Sequence, residues 1–435
     1  MYPDVTDAPL CPTDRAEDRG AWTWSILLTV AFGGLYMAYT LLWMPVVHGR
    51  AVWVVSGDTW ILTEPARFVA NGALGYLYSA RPGYYALPLS AILMAPAVWL
   101  SDSLRLVGGY PFPVPEPTAW LVVGPFQLLA GIPALRAARR LAFAGGLRGR
   151  QLVVVQLFVV AVVLYPCAFW GHPEDVLATT FLLGAVAAQR DARTDRAALL
   201  LALAICSKQW ALVAVPFLLV ATPAGRRWRA GLVASVPPLV VAALPLSVDW
   251  WHASRSLLFQ KFPVHGLYGH QSMILPVLTS VLGAHGSELS RLLEVAAAPV
   301  VAVAVRRRDP DAQLAALGGV LALRIVLEPL VFPYYLAPGA LLLGLAATLT
   351  LRRIPVQLLW WLAVLAVWSI LQTARTGWWW TGMVVISLAA ASAWYREAPR
   401  GAAFARAWWP ALDVGRAAPA SPVAAAGQAW GEDRA

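Results

Sequence analysis

The segment "RGRQLVVVQLFVVAVVLYPCAFWGHPEDVLATTFLLGAVAAQRDAR" (148–193) decides the fold. Two apolar runs flank a short polar turn, and arginines close both outer ends. Runs of this kind approach the ~17–25 residues that a helix needs to cross a bilayer. If the arginines stay on the cytoplasmic side, the first run goes out, the second returns, and "WGHPED" faces outside. A turn holding His172, Glu174 and Asp175 then sits at the outer lip of a membrane.

The whole chain repeats this pattern. Its 435 residues are 59% hydrophobic and 13% charged, with 22 tryptophans. A soluble domain carries about 25% charged residues. The mean hydropathy is +0.63. The net charge of +10 comes from arginine clusters between apolar runs, which suits a polytopic membrane protein and not nucleic-acid binding. Only Lys208 and Lys261 are lysines. Cys11, Cys167 and Cys206 have no metal-ligand spacing and suggest no disulfide framework. Five acidic residues among the first twenty do not resemble the basic start of a signal peptide, so the run that follows reads as a retained first helix.

Parity of the arginine clusters predicts about twelve crossings with both termini cytoplasmic. The pairs are 151–169 with 176–189, 230–248 with 289–305, 311–327 with 334–350, and 355–372 with 378–395. Before them lie three apolar runs, 21–47, 85–101 and 119–135, of which one must not cross. The proline-bearing 85–101 is the weakest, which makes 48–118 one large outer loop with a helix on or in the membrane surface. An outside N-terminus is the alternative. The stretch 197–223 starts and ends inside, so it must be a broken pair of short helices with Ser207, Lys208 and Gln209 at the outer turn. Such breaks persist at membrane depth where they line a cavity or are buried in protein. The expected organisation is a cytoplasmic tail (1–20), a transmembrane unit (21–395) and a disordered cytoplasmic tail (396–435) rich in Ala, Pro and Gly.

This topology sorts the polar residues by side. Facing out are Asp58, Glu64 and Arg67; His172, Glu174 and Asp175; Lys208 and Gln209; Lys261, His265 and His270; and Glu328 and Tyr334, with Arg324 a turn deeper. Positive charges and carboxylates at headgroup depth suit chemistry on a lipid phosphate. The cations neutralise a leaving phosphate, and a carboxylate takes the proton of an incoming hydroxyl. Each residue also has a plainer reading. Asp58 is a good helix cap. Glu64 with Arg67, and Arg324 with Glu328, have helix-pair spacing. Pro173, Glu174 and Asp175 suit a helix start, which leaves His172 unexplained. Lys208 can snorkel, Tyr334 suits an aromatic belt, and His265 and His270 are ordinary loop polarity. His172, Glu174 and Asp175 are too few ligands to make a metal site by themselves. Nucleotide-binding motifs of the G-x-x-x-x-G-K-[ST] and G-x-G-x-x-G types are absent.

Several segments over about residues 20–350 resemble the GT-C superfamily of integral-membrane glycosyltransferases. They are Asp58 after the first helix, the outer "GHPED", "LALAICSKQWALVAVP" (201–216) and "PYYLAP" (333–338). The nearest relatives by this resemblance are the polyprenol-phosphate-mannose-dependent mannosyltransferases of actinobacteria. The resemblance implies an outer-face plasma-membrane enzyme with a polyprenyl-phosphate sugar donor, mannose or another hexose, and no cofactor. The acceptor would be an envelope glycan, glycolipid or protein. It makes Asp58 the catalytic base of a single inverting displacement, and Lys208 with Arg67 or Arg324 the groups on the leaving phosphate. Asp58, Glu174 and Lys208 should then line one outer cavity. The chain has no Asp-x-Asp pair in its first outer loop, and it carries "GHPED" where many relatives have "GQ-x-N" or an Asp-containing variant. The rival readings are a secondary transporter of about twelve helices and a non-catalytic membrane scaffold.

Overall fold

The computed structural model describes residues 12–38, 42, 57–79, 84–106, 120–257, 270–271, 281, 286–323, 330–331, 335 and 337–351. The expected spans 355–372 and 378–395, the tail 396–435, and Lys261, His265, Arg324, Glu328 and Tyr334 lie outside them. The described chain is helical. Its one sheet pairs β1 (His270–Gln271) with β2 (Leu330–Val331), antiparallel, with His270 opposite Val331.

The helices follow in order. They begin with α1 (Pro12–Ala38), α2 (Gly57–Ala70), α3 (Leu89–Ser103), α4 (Trp120–Leu129), α5 (Gly131–Ala144), α6 (Arg150–Val159) and α7 (Tyr165–Trp170). Next come α8 (Pro173–Arg190), α9 (Thr194–Ser207), α10 (Val215–Ala221), α11 (Arg227–Val248) and α12 (Trp250–Leu257). The last are α13 (Gly286–Val305), α14 (Pro310–Ala322) and α15 (Ala337–Leu351). Among the described residues, two stretches, Arg19–Ala38 and Ala224–Val248, are long and apolar enough to cross a membrane. Both turn apolar side chains outward, with Val30 66%, Leu35 72%, Leu239 67% and Val240 63% exposed.

Several expected spans appear as broken rods, and proline explains one break. A π-helical turn, Val160–Leu164, joins α6 to α7. Pro166 opens α7 and has no N–H to donate, so a wider turn absorbs the missing ladder bond. The run expected over 119–135 continues to Ala144, interrupted only at Ala130. Arg136, Arg139 and Arg140 therefore sit on α5, not in a loop. Arginine is a good helix former, and the first stop signal is the Gly145–Gly146 pair.

Two apolar cores organise the helices. The larger draws on α4 to α11 and α13 to α15, with Tyr36 from α1. The smaller joins Leu62 and Ala66 of α2, Met94 and Val98 of α3, Val123 of α4 and Ala253 of α12, with Tyr78 and Tyr84 between. The run 85–101 is thus a helix docked on α2, α4 and α9. Inside the larger core, Arg139 donates to Gln156 Oε1 at 3.0 Å, and Gln156 Nε2 donates to Ser25 at 3.2 Å. These bonds lock α1, α5 and α6 in register.

Helix α14 packs antiparallel on α15 through glycines. A Cβ on Gly318 would meet Leu343 N at 2.8 Å, and one on Gly339 would meet Ala322 N at 2.9 Å. Small residues let two backbones approach this closely. Helices α8 and α9 are also antiparallel, so the end of α9 returns to the start of α8.

Candidate functional site

The site forms where α9 ends. Its last residue, Ser207, passes into Lys208, whose backbone is extended (φ −153°, ψ 130°). A 3₁₀ helix, Gln209–Ala214, then leads back along the bundle into α10. The chain returns far enough for Gln189 Nε2, at the far end of α8, to donate to Ala221 O at 3.0 Å. The stretch expected as a broken pair of helices therefore breaks at Lys208 and reverses there.

Opposite Lys208 is the start of α8. Gly171, in the left-handed conformation (φ 76°), ends α7. This backbone suits glycine because a Cβ would crowd the neighbouring carbonyl. His172 follows as the N-cap, without a side-chain capping bond, and Pro173 opens α8. Glu174 and Asp175 fall in its first turn, where acidic residues complement the helix dipole. Their side chains, however, are engaged with other residues of the site.

His172 Nδ1 lies 2.8 Å from Glu174 Oε1. Lys208 Nζ donates to the same oxygen at 3.1 Å and lies 3.9 Å from Asp175 Oδ2. The Trp210 indole N–H donates to Asp175 Oδ1 at 2.7 Å. Glu174 is 5% exposed, Asp175 7% and His172 9%. Glu174 Oε2, Asp175 Oδ2 and Gln209 Nε2 are buried without a hydrogen-bond partner among the described residues. A buried polar atom left unpaired costs ~1–3 kcal/mol. Two orphaned acceptors and one orphaned donor, close in the chain to one ion pair, match a ligand with several hydroxyls.

Two more segments reach this place. Tyr84, fully buried, lies within electrostatic range of Glu174, and Tyr335 of "PYYLAP" within range of Lys208. Ser90 of α3 donates to Ser207 O at 3.1 Å, and α2 packs on α7. "GHPED" and "SKQW" therefore converge, with Tyr335 within electrostatic range of Lys208, although they are far apart in sequence.

The remaining expected residues are placed as follows. Asp58 lies in the first turn of α2, inside the helix and not before it; its side chain is outside the described set. Glu64 is half-buried on the same helix. Arg67 is forked onto Asp102, with bonds of 2.7 and 2.8 Å, so its principal partner is on α3 and is not Glu64. The Asp102 hydrogen bonds hold the Arg67 guanidinium above its usual range. The positive charges of both Arg67 and Lys208 are engaged by carboxylates, Arg67 by Asp102 and Lys208 by Glu174 and Asp175. His270 lies in β1, its side chain outside the described set.

A metal ion fits poorly. His172, Glu174 and Asp175 do present ligand atoms within 4.8 Å of one another. The Lys208 ammonium already supplies positive charge there and would repel a cation.

Sequence reasoning missed Trp210, Tyr84 and Asp102. Trp210 had a usable signal, since a buried indole N–H needs an acceptor and a carboxylate turn was already expected nearby. A second polar cluster joins the Ser79 hydroxyl, Asp249 and His252, whose Nδ1 is 2.9 Å from Asp249 Oδ2. Burial raises the Asp249 carboxyl, but the bonds from Ser79 and His252 outweigh it and leave the group below its ordinary range. No family model matches the chain, and no curated protein or solved structure matches it either.

Proposed function

We propose that the chain is a GT-C-type glycosyltransferase of the plasma membrane, multi-pass, with about twelve crossings and its site at the outer face. The donor is a polyprenyl-phosphate sugar, mannose or another hexose. The acceptor is an envelope glycan, glycolipid or protein. The observation that carries the reading is the convergence of "GHPED" and "SKQW" on a buried ionic cluster whose carboxylates keep acceptor atoms without a partner among the described residues. The outward apolar faces of α1 and α11 support the membrane setting.

In this reading Glu174 Oε2 and Asp175 Oδ2 accept sugar hydroxyls, and Gln209 donates to one. Lys208 compensates the two carboxylates in place of the phosphate-binding role that the resemblance implied. Trp210 fixes Asp175. Asp58 takes the proton of the attacking hydroxyl, the sugar transfers in one inverting displacement, and the polyprenyl phosphate departs. Arg324, outside the described residues, remains the candidate for the departing phosphate.

The test is sugar transfer from a radiolabelled polyprenyl-phosphate hexose to envelope extract by the purified chain. Asp58→Asn should lower the rate by about 10²–10⁴, the range for a lost general base. A folded Asp58→Asn chain that transfers at the wild-type rate removes Asp58 from the mechanism.

One observation favours a secondary transporter instead: helices break on both sides of the charged cluster, as at transporter ion sites. Counterflow of a labelled sugar across proteoliposomes, without bond cleavage, would select that reading.

A further inference from the structure

The end of the molecule away from Lys208 carries a different feature. A cavity of about 350 Å³ opens between α8, α9, α10 and α14. That volume lies within the range of ligand sites. Its wall is apolar, built from residues such as Leu182, Val186, Leu201, Phe217, Leu314 and Leu317. Its polar lining is Gln189, Arg190, Arg306 and Gln313. The two arginines differ. Arg190 is spent on Asp311, an ion pair that ties α8 to α14. Arg306 is exposed and has no ion pair among the described residues. Arg307, exposed, and Arg308, half-buried, follow it in the turn between α13 and α14 and likewise have no ion pair among the described residues. The nearest acid in sequence, Asp309, uses its side chain to cap α14 by accepting from Asp311 N and Ala312 N.

A plainer reading makes these arginines partners of the C-terminal carbonyls of α13. That accounts for one basic residue just past the end of α13. It does not account for a run of three arginines without ion pairs among the described residues, the first of them on the wall of an apolar cavity, or for Gln189 Oε1, buried without a partner among those residues. An apolar cleft with a cationic rim matches an amphiphile with an acyl chain and an anionic headgroup.

We propose that this cleft binds an anionic phospholipid on the cytoplasmic side. One acyl chain fills the apolar cavity, and the headgroup phosphate sits on Arg306, Arg307 and Arg308. The inference rests on the membrane setting of the proposed function and is independent of sugar transfer. Basic residues at a leaflet surface attract anionic lipid.

The test uses the full chain, purified in non-ionic detergent and delipidated, with phosphatidylglycerol carrying a photoactivatable acyl chain. The label should map to α8 near Leu182–Val186 and to α14 near Leu314–Leu317. The matching phosphatidylcholine should label about tenfold less. Changing Arg306, Arg307 and Arg308 together to Gln should lower phosphatidylglycerol labelling about tenfold. A second variant, Leu314→Trp, should fill the cavity and remove the label while leaving the arginines in place. Equal labelling by the two lipids, label confined to other helices, or wild-type labelling of both variants would overturn the proposal. A chain recovered in solution without detergent would overturn the membrane setting itself, whatever its labelling.

Discussion

Lys208 lies between two carboxylates in a place where water does not compensate charge. Its ammonium is 3.1 Å from Glu174 and 3.9 Å from Asp175, and its side chain is only 13% exposed. Removing one partner of a buried pair leaves the other uncompensated, at about 3–5 kcal/mol. Lys208→Met should lower stability by that order in thermal unfolding of the detergent-solubilised chain. Adding Glu174→Gln should recover part of the loss, because the two residues share one interaction. Trp210→Phe, which removes one bond to Asp175, should cost less, about 1–3 kcal/mol. A Lys208→Met chain as stable as wild type would mean that the pair is not formed. Lys208 was legible in the sequence because a lysine within an apolar run stands out. That Glu174 and Asp175 are its partners was not, because 34 residues separate Glu174 from Lys208. Arg67 shows the same limit, since its partner Asp102 is 35 positions away. Spacing along one helix suggested Glu64 because local periodicity is blind to a second helix.

Helix pairing depends on small residues at defined points. Gly339 faces Ala322 N at 2.9 Å and Gly318 O at 3.1 Å from an ideal Cβ, both rigid backbone atoms. Gly339→Ala must separate α14 from α15 and should destabilise by about 1–3 kcal/mol, the usual cost of overpacking. Thermal unfolding of the variant checks this. Gly34, with nothing within 4 Å of its ideal Cβ, is the internal control and should tolerate alanine. The hairpin centred on Lys208 could be read from sequence because both its ends carry arginines. The long α4–α5 rod could not, because arginine was read as a marker of loops when it is equally at home on a helix. The break at Val160–Leu164 was hidden for a different reason. A π turn leaves the apolar pattern almost unchanged, and Pro166 was the one cue.

Along α8 and α9, the ion pairs among the described residues gather at the two ends. Arg190 with Asp311, Arg229 with Asp195 and Arg140 with Asp191 gather at the end where α8 stops and α9 starts. The His172–Glu174–Asp175–Lys208 cluster lies at the other end of the same helices. If the proposed topology holds, a membrane-impermeant maleimide on intact cells should label Trp251→Cys and leave Arg307→Cys untouched until the membrane is opened. Trp251 is 58% exposed and the native Cys167 and Cys206 are buried, so with Cys11 changed to Ser in both variants the background should be low. The reverse pattern would turn the molecule over and separate the cluster from any outer-face substrate.

The most direct measurement is sugar transfer by the purified chain and its Glu174→Gln variant, from a polyprenyl-phosphate mannose to envelope extract. The account predicts transfer by wild type and a loss of at least about tenfold in the variant, since a carboxylate oxygen that accepts a sugar hydroxyl is gone. Intact donor after incubation with folded wild-type protein, across mannose and the other common hexoses, would contradict it. So would a folded Glu174→Gln chain that transfers as fast as wild type.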